Sequence, residues 1–344
     1  MMPEHYSAMK RRQGFMFFSW SMLSGMIGSI TMDRLPKPDI ILTHESDLDG
    51  LVSGCLLKRL AQHMFQVDVP LAAYHLPQWQ NRQMTEPAAW VCDLTLDARV
   101  DRQGWVVVDH HPSAHQLKRA TYIFSQDKSA SRLCYDLLEK EGIGNPELER
   151  LVHLTNVADL FLESDPDFEM ACDYAELVKA YHFHPLVKLL EGRVESILNH
   201  PLLEVMQVKR SVEDPIGLDW ARRHLEPLAP GVSSVDLAIG NHNVIMNQLL
   251  KDSSLEDQVL LSVSRRAPYQ YGVSLRSRNG KARDVAVQLH GGGHPNAAGA
   301  TLPKSVKSVS TGLDYIRQVL SPKQELKPDG GLSDLASALD ALQD

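Results

Sequence analysis

Short apolar runs and longer amphipathic stretches alternate through the first half of the chain. Asp39–His44 (DIILTH), Val67–His75, Ala88–Leu94, Gly104–His111 and Ala120–Ser125 have strand length and are rich in apolar residues. Leu51, Leu56, Leu57, Leu60 and Met64 follow the first run at helical spacing. Two further helical patterns, Ser129–Gly142 and Pro146–Leu162, follow the last. Gly142 stands where helices commonly stop, and Pro146 where they commonly start. Strands that are apolar on both faces and alternate with helices predict a parallel sheet with helices on both sides.

The pattern then changes twice. From Tyr174 to about Leu228 it is helical and more charged, as expected of a connector. From Val235 onward VDLAIG, QVLLSVSRR and YGVSLRSR alternate like strands. Gly291–Pro303 reads as a glycine-rich turn region, and Ser308–Leu320 as a last helix. The expected organisation is an α/β fold: a doubly wound parallel-sheet domain over 32–173, a helical linker over 174–229 and a smaller α/β C-terminal domain over 230–322. Residues 1–31 are expected to be a flexible N-terminal extension, and 323–344 a loosely held tail. Lys10–Met32 has a basic lead and, from Gly14, a mostly apolar body, like a weak signal or anchor segment, but its length is marginal for a span. An upstream extension is therefore preferred, with a cytoplasmic location and no stable membrane association.

Composition narrows the function classes. The four cysteines show no C-x-x-C pair, which excludes zinc-ribbon and thioredoxin readings and predicts buried, reduced thiols. A net charge of −8 argues against a general nucleic-acid coat protein. It does not argue against a nucleotide substrate, because bound divalent cations reverse the local sign of a carboxylate-rich site.

Such a site is written into the strand ends. The first run leads to His44, Asp47 and Asp49, the third to Asp93, and the fourth to Asp109, His110 and His111. In an open parallel sheet these ends line the crevice where ligands bind. Singly, each acid is an ordinary helix cap or turn former, and each histidine an ordinary hydrogen-bonded side chain. Together, acids on one rim repel one another unless cations intervene. Imidazole with carboxylate and no thiolate suits ions such as Mn²⁺. Shared ligands suggest two ions, which would activate a water and neutralise developing phosphoryl charge.

VVVDHHP with SDLDGLVSG before it resembles the DHH phosphoesterase superfamily, which includes RecJ-related exonucleases. Val273–Leu302 (VSLRSRNG to GGGHPNAAGATL) resembles the DHH-associated C-terminal domain. The resemblance runs from about Asp39 to Pro322. It implies two Mn²⁺ ions (Mg²⁺ or other divalent ions being alternatives) in the first domain and substrate binding in the second. Carried over residue by residue, His44 and Asp47 would hold one metal. Asp49, His110 and Asp159 would hold the other, and Asp93 would bridge both. Asp109 would orient the His110 imidazole, and His111 would face the scissile phosphate. In the second domain Arg276 and Arg278, alternating along a strand, would bind phosphate. Gly291, Gly292 and Gly293 would offer backbone N–H groups, with Ser277, His294 and Asn296 as further substrate contacts. Trp79 could face the cleft, whereas His75, His153, His182 and His184 read as ordinary surface residues.

The short two-domain layout resembles the nanoRNases, or oligoribonucleases. That implies hydrolysis of short RNA or DNA oligonucleotides to mononucleotides, with dephosphorylation of 3′-phosphoadenosine 5′-phosphate as a second activity of some members. The competing readings are a cyclic- or linear-dinucleotide phosphodiesterase and a non-catalytic nucleotide-binding regulator on the same scaffold. A homodimer is the candidate oligomer.

Overall fold

Five short strands form the first sheet: β1 (Ile40–His44), β2 (Leu71–Tyr74), β3 (Ala89–Cys92), β4 (Val106–Asp109) and β5 (Thr121–Phe124). All pairings are parallel, in the order β2-β1-β3-β4-β5. The computed structural model describes residues 35–113, 115–255, 258–268 and 270–321, and the described residues from Pro36 onward belong to one unit. The N-terminal extension and the tail after Pro322 lie outside the described residues.

Apolarity on both sides of each strand is the physical reason for this arrangement: every residue of β3 and β4 is buried. Helix α1 (Leu48–Phe65) packs against β1 and against α3 (Ala130–Lys140) and α4 (Pro146–Asp159). The opposite face differs from the expected helical layer. It is covered by α2 (Leu76–Asn81), one short helix, and by the irregular segment 94–105. Trp79 on α2 is fully buried there and its indole N–H donates to the Thr95 carbonyl at 3.0 Å, so it anchors this core and does not face the cleft.

Helices α5 (Phe168–Tyr181), α6 (Phe183–Leu190) and α7 (Pro201–Arg223) make the connector. The second sheet begins directly after α7 with β6 (Leu225–Ala229) and β7 (Val232–Val235), and continues with β8 (Val259–Ala267), β9 (Gln270–Ser277), β10 (Gly292–His294) and β11 (Ala297–Thr301). Its order is β10-β11-β9-β8-β7-β6, antiparallel except between β7 and β8. Helix α8 (His242–Leu249) makes that one parallel crossover. The expected strand at Val235–Gly240 is instead the end of β7 and an irregular lead into α8. Helices α9 (Ala282–Gln288) and α10 (Val309–Leu320) complete the domain, with Ala282, Ala286 and Ile316 buried in its core. Among the described residues, no helix is long and apolar enough to cross a membrane.

Candidate active site

The chain reverses direction across the first sheet between β1 and β3, and such a switch point opens a crevice at the strand ends. His44 closes β1. Asp47 then caps α1, its Oδ1 accepting from Gly50 N at 3.0 Å. Gly50 is required here: a Cβ would lie 2.2 Å from the His44 carbonyl oxygen, so only glycine lets α1 start this close to β1. Asp49, in the first turn of α1, is buried, and its two oxygens accept from Ala130 N and Ser131 N at 2.8 Å each. The first turn of α3 thus fixes Asp49. Asp93 follows β3 with φ +54, a left-handed backbone that Asp tolerates better than most residues, and this turns its carboxylate into the crevice.

The polar side chains converge. The His44 Nδ1 lies 2.6 Å from Asp47 Oδ2 and 3.7 Å from Asp93 Oδ2. The His110 Nε2 lies 3.6 Å from Asp93 Oδ1, 3.3 Å from Asp159 Oδ2 and 3.9 Å from Asp49 Oδ2. His44, Asp47 and Asp93 form one group that could hold a cation, and Asp49, His110 and Asp159 another. Asp93 stands between them, with one oxygen toward each. Asp159 comes from the last residue of α4.

The electrostatics are those of crowded carboxylates and imidazoles. Burial and then the neighbouring Asp93 push Asp49 up to about 6. Partial burial of its side chain, 22% accessible on an otherwise exposed residue, and then Asp49 and Asp93 raise Asp159 well above the usual carboxylate range. Burial works against charge on His44, yet Asp47 and Asp93 lift it to about 11. Burial disfavours the Asp93 carboxylate too, but His110 and His44 hold it well below its ordinary range. Protons thus compensate charges that a divalent cation would compensate directly. Among the described residues, four buried side-chain atoms have no hydrogen-bond partner: Asp93 Oδ2, Asp109 Oδ2, and both ring nitrogens of His110. Buried polar groups are normally satisfied. The unpartnered His110 Nε2 beside three carboxylates completes a donor set that a divalent ion takes.

The DHH triplet divides its work differently from the sequence-based expectation. The Asp109 Oδ1 accepts from the backbone N–H of His110 at 2.8 Å and of His111 at 3.2 Å, and it contacts His111 Nδ1 at 2.8 Å. Asp109 therefore orients the His111 ring, not the His110 ring. Burial opposes charge on His111, but the Asp109 bond and the nearby Asp93 raise it to about 9.

The second domain reaches this crevice through the β10–β11 hairpin. Gly292–His294 is a strand, and the turn falls at Pro295–Asn296, so the predicted glycine-rich turn is displaced. A Cβ on Gly291 would lie 2.1 Å from the Gly299 carbonyl, whereas Gly292 has open space. The His294 ring stands 6.0 Å from His110 and 5.9 Å from His111, centroid to centroid. Burial, then His111, lowers the pKa of His294, which favours a neutral imidazole. Arg276 points to the same place, its guanidinium 5.3 Å over the Phe161 ring. The other predicted contacts sit apart. Strand β9 ends at Ser277, so Arg278 is off the strand and exposed. Ser277 is buried, its Oγ accepting from Ala282 N at 3.0 Å, and Asn296 Oδ1 accepts from Gly280 N at 2.8 Å. Both oxygens hold the β9–α9 turn.

Several neighbours were not singled out from sequence. Lys179, Asn243 and Phe161 line a cavity of about 250 Å³ beside Asp47, Asp49 and Asp159. They fall in unremarkable helical segments, so no local signal marks them. The exposed His75 and His184 stand 3.7 Å and 4.0 Å from the Glu45 carboxylate. His153 lies with Asp165 and Asp167 on the far side of α4, where Arg150 already forms a two-nitrogen ion pair with Asp167.

Comparison with known proteins agrees with this architecture. Residues 236–321 match the DHHA1 domain model. No curated protein sequence matches the chain. Among solved structures, the pGpG-specific phosphodiesterase PggH from Vibrio cholerae is similar at a TM-score of 0.50 and 14% identity, covering 81% of this chain and 98% of that one. The DHH domain of a member of a ribosomal-protein family is similar at a TM-score of 0.53 and 14% identity, covering 83% of this chain and 87% of that one. The chain thus carries a DHHA1 domain over residues 236–321, behind a parallel-sheet domain with an Asp/His cluster at its switch point, in a fold similar to that of these two structures.

Proposed function

We propose that the protein is a divalent-metal-dependent phosphodiesterase that hydrolyses short oligonucleotides and small nucleotides to mononucleotides. The observation that carries this reading is the unpartnered, buried imidazole of His110 among Asp49, Asp93 and Asp159. His44 and Asp47 would hold one ion, Asp49, His110 and Asp159 a second, with Asp93 shared. The preferred ion is Mn²⁺, because the donors are carboxylate and imidazole without thiolate. When bound, such ions neutralise phosphoryl oxygens and acidify an attacking water.

The protein's own groups supply the rest. His111, partly exposed and held by Asp109, presents a ring N–H toward the phosphate. Arg276 adds a positive group from the opposite wall, and His294 closes the crevice between them. Both domains contribute, so a substrate must enter the crevice to be cleaved. The similar fold of a pGpG-specific phosphodiesterase supports a small nucleotide as substrate. The finer reading is a nanoRNase with 3′-phosphoadenosine 5′-phosphate as a further substrate.

A length series decides it. Labelled RNA and DNA from two to about ten nucleotides would be incubated with Mn²⁺, beside cyclic dinucleotides and 3′-phosphoadenosine 5′-phosphate. The expected result is the highest kcat/KM on the shortest oligonucleotides, falling with length. A preference for the longest single strands, or for cyclic dinucleotides, would overturn the nanoRNase reading.

A further inference from the structure

Residues 159–163, at the end of α4, serve three neighbours. Asp159 belongs to the second ligand group, with Asp49 and His110. Phe161 places its ring under the Arg276 guanidinium of β9. The Glu163 carboxylate accepts from the Asn247 side-chain amide and stands 3.0 Å from Lys251 Nζ. Asn247 lies on α8 and Lys251 just beyond it, so one carboxylate joins the end of α4 to the second domain.

The path from Asp159 to Glu163 is short and fixed. Leu162 N donates to the Val157 carbonyl at 2.9 Å and Phe161 N to the Ala158 carbonyl at 3.3 Å, the paired bonds that close a helix through a left-handed residue. Glycine usually takes that position, but here it is Phe161, with φ +54. A bulky residue keeps such a backbone only where its surroundings over-determine it. Those surroundings are the Phe168 ring, edge-on at 4.9 Å, and the contacts with the second domain. Little slack therefore separates the metal-ligand end of this segment from its Glu163 end.

Helix α8 carries no proposed metal ligand. Its start is tied to the connector, where Asp214 Oδ1 accepts from Asn241 N at 2.7 Å and Glu176 Oε1 from Asn241 Nδ2 at 3.2 Å. Glu163 grips the other end, roughly 12 Å along this eight-residue helix. An exposed ion pair contributes little by itself. A carboxylate with two partners on one element, four residues from a metal ligand on another, instead sets where those elements lie. We infer that Glu163 is a positioning residue that couples cation binding at the Asp49–His110–Asp159 group to the docking of α8. This inference rests on the proposed metal site and is independent of the substrate.

Calorimetric titration of EDTA-stripped, full-length protein with Mn²⁺ tests the coupling without turnover. The double variant Asn247→Ala, Lys251→Met removes no proposed ligand. It and Glu163→Ala should each weaken Mn²⁺ binding at one site by at least about fivefold, the low end of coupling between linked sites. Glu163→Gln, whose amide oxygen can still accept from Asn247, should lose less. Linkage is reciprocal, so Mn²⁺ should slow amide exchange across α8 in the unmodified protein and not in Glu163→Ala. Unchanged Mn²⁺ affinity in the double variant would overturn the inference, even if Glu163→Ala weakened binding, because Glu163 would then act only locally. Exchange in α8 that ignores Mn²⁺ would overturn it too. An unmodified protein that takes up no Mn²⁺ would remove the metal site itself, a result distinct from tight binding that the variants leave unchanged.

Discussion

At the residue scale, the site depends on a few side chains whose neighbours fix their direction. Asp93 is the clearest: its left-handed backbone aims one oxygen at His44 and the other at His110. Asp93→Asn keeps a residue tolerant of that backbone while removing the charge. Its cleavage rate in Mn²⁺ should fall by more than about 100-fold with little change in melting temperature. Near-normal turnover in a steady-state assay would remove Asp93 from the metal site. Asp109→Asn should act differently. The amide oxygen can still accept from the His110 and His111 backbones, so the turn survives, but the His111 ring loses its anionic partner. A drop in kcat of about 10–100-fold is expected, with a lower pKa on the alkaline limb of the pH–rate profile. An unchanged profile would mean that His111 does not act through Asp109. The candidate cluster was legible in the sequence because most of its members end a strand or begin the next helix. The Asp109–His111 bond was not, because the sequence does not say which of two adjacent histidines turns back toward the aspartate.

At the element scale, the decisive contact is the start of α1 against the end of β1. A Cβ at Gly50 would meet backbone at His44, which cannot swing aside as a side chain can. Gly50→Ala should therefore cost about 1–3 kcal/mol by overpacking, seen as a lower melting temperature. It should also weaken Mn²⁺ binding, because the strain falls on a proposed ligand. Wild-type melting and metal affinity would contradict the packing argument. The face of the first sheet covered by α2 has its own clamp, where Arg82 forms a two-nitrogen ion pair with Glu86. That bond holds Glu86 at about 2, below its ordinary value of 4.5. A lowered folded-state pKa stabilises above about pH 4.5, and the contribution is lost as pH falls toward 2. The melting-temperature gap between wild type and Glu86→Gln should thus narrow between pH 6 and pH 3. A gap independent of pH would assign the clamp no charge-linked role. The strands of the first sheet and the long helices were readable from period and apolarity, but β6, inside the expected helical linker, was not. The cover over 94–105 was not, because an irregular segment that buries Leu94, Leu96 and Val100 carries no period.

At the scale of the molecule, the proposed function rests on the crevice between the switch point of one sheet and the hairpin edge of another. The sequence pattern separated the two sheets and their helical connector. It did not show that His294 lies near His110, or that Lys179 from the connector shares a cavity with Arg276. Such contacts join residues far apart in sequence, and neither local spacing nor residue type encodes them. The central claim is that this crevice cleaves phosphodiesters only when its acid cluster holds divalent cations. The most direct measurement is cleavage of a labelled 5′-phosphorylated diribonucleotide by protein stripped with EDTA, dialysed and then titrated with Mn²⁺. Stripped protein should give no cleavage, added Mn²⁺ should restore mononucleotide products, and Asp93→Asn should show no restoration. Cleavage that persists after stripping, or that Mn²⁺ fails to restore in correctly folded protein, would contradict it.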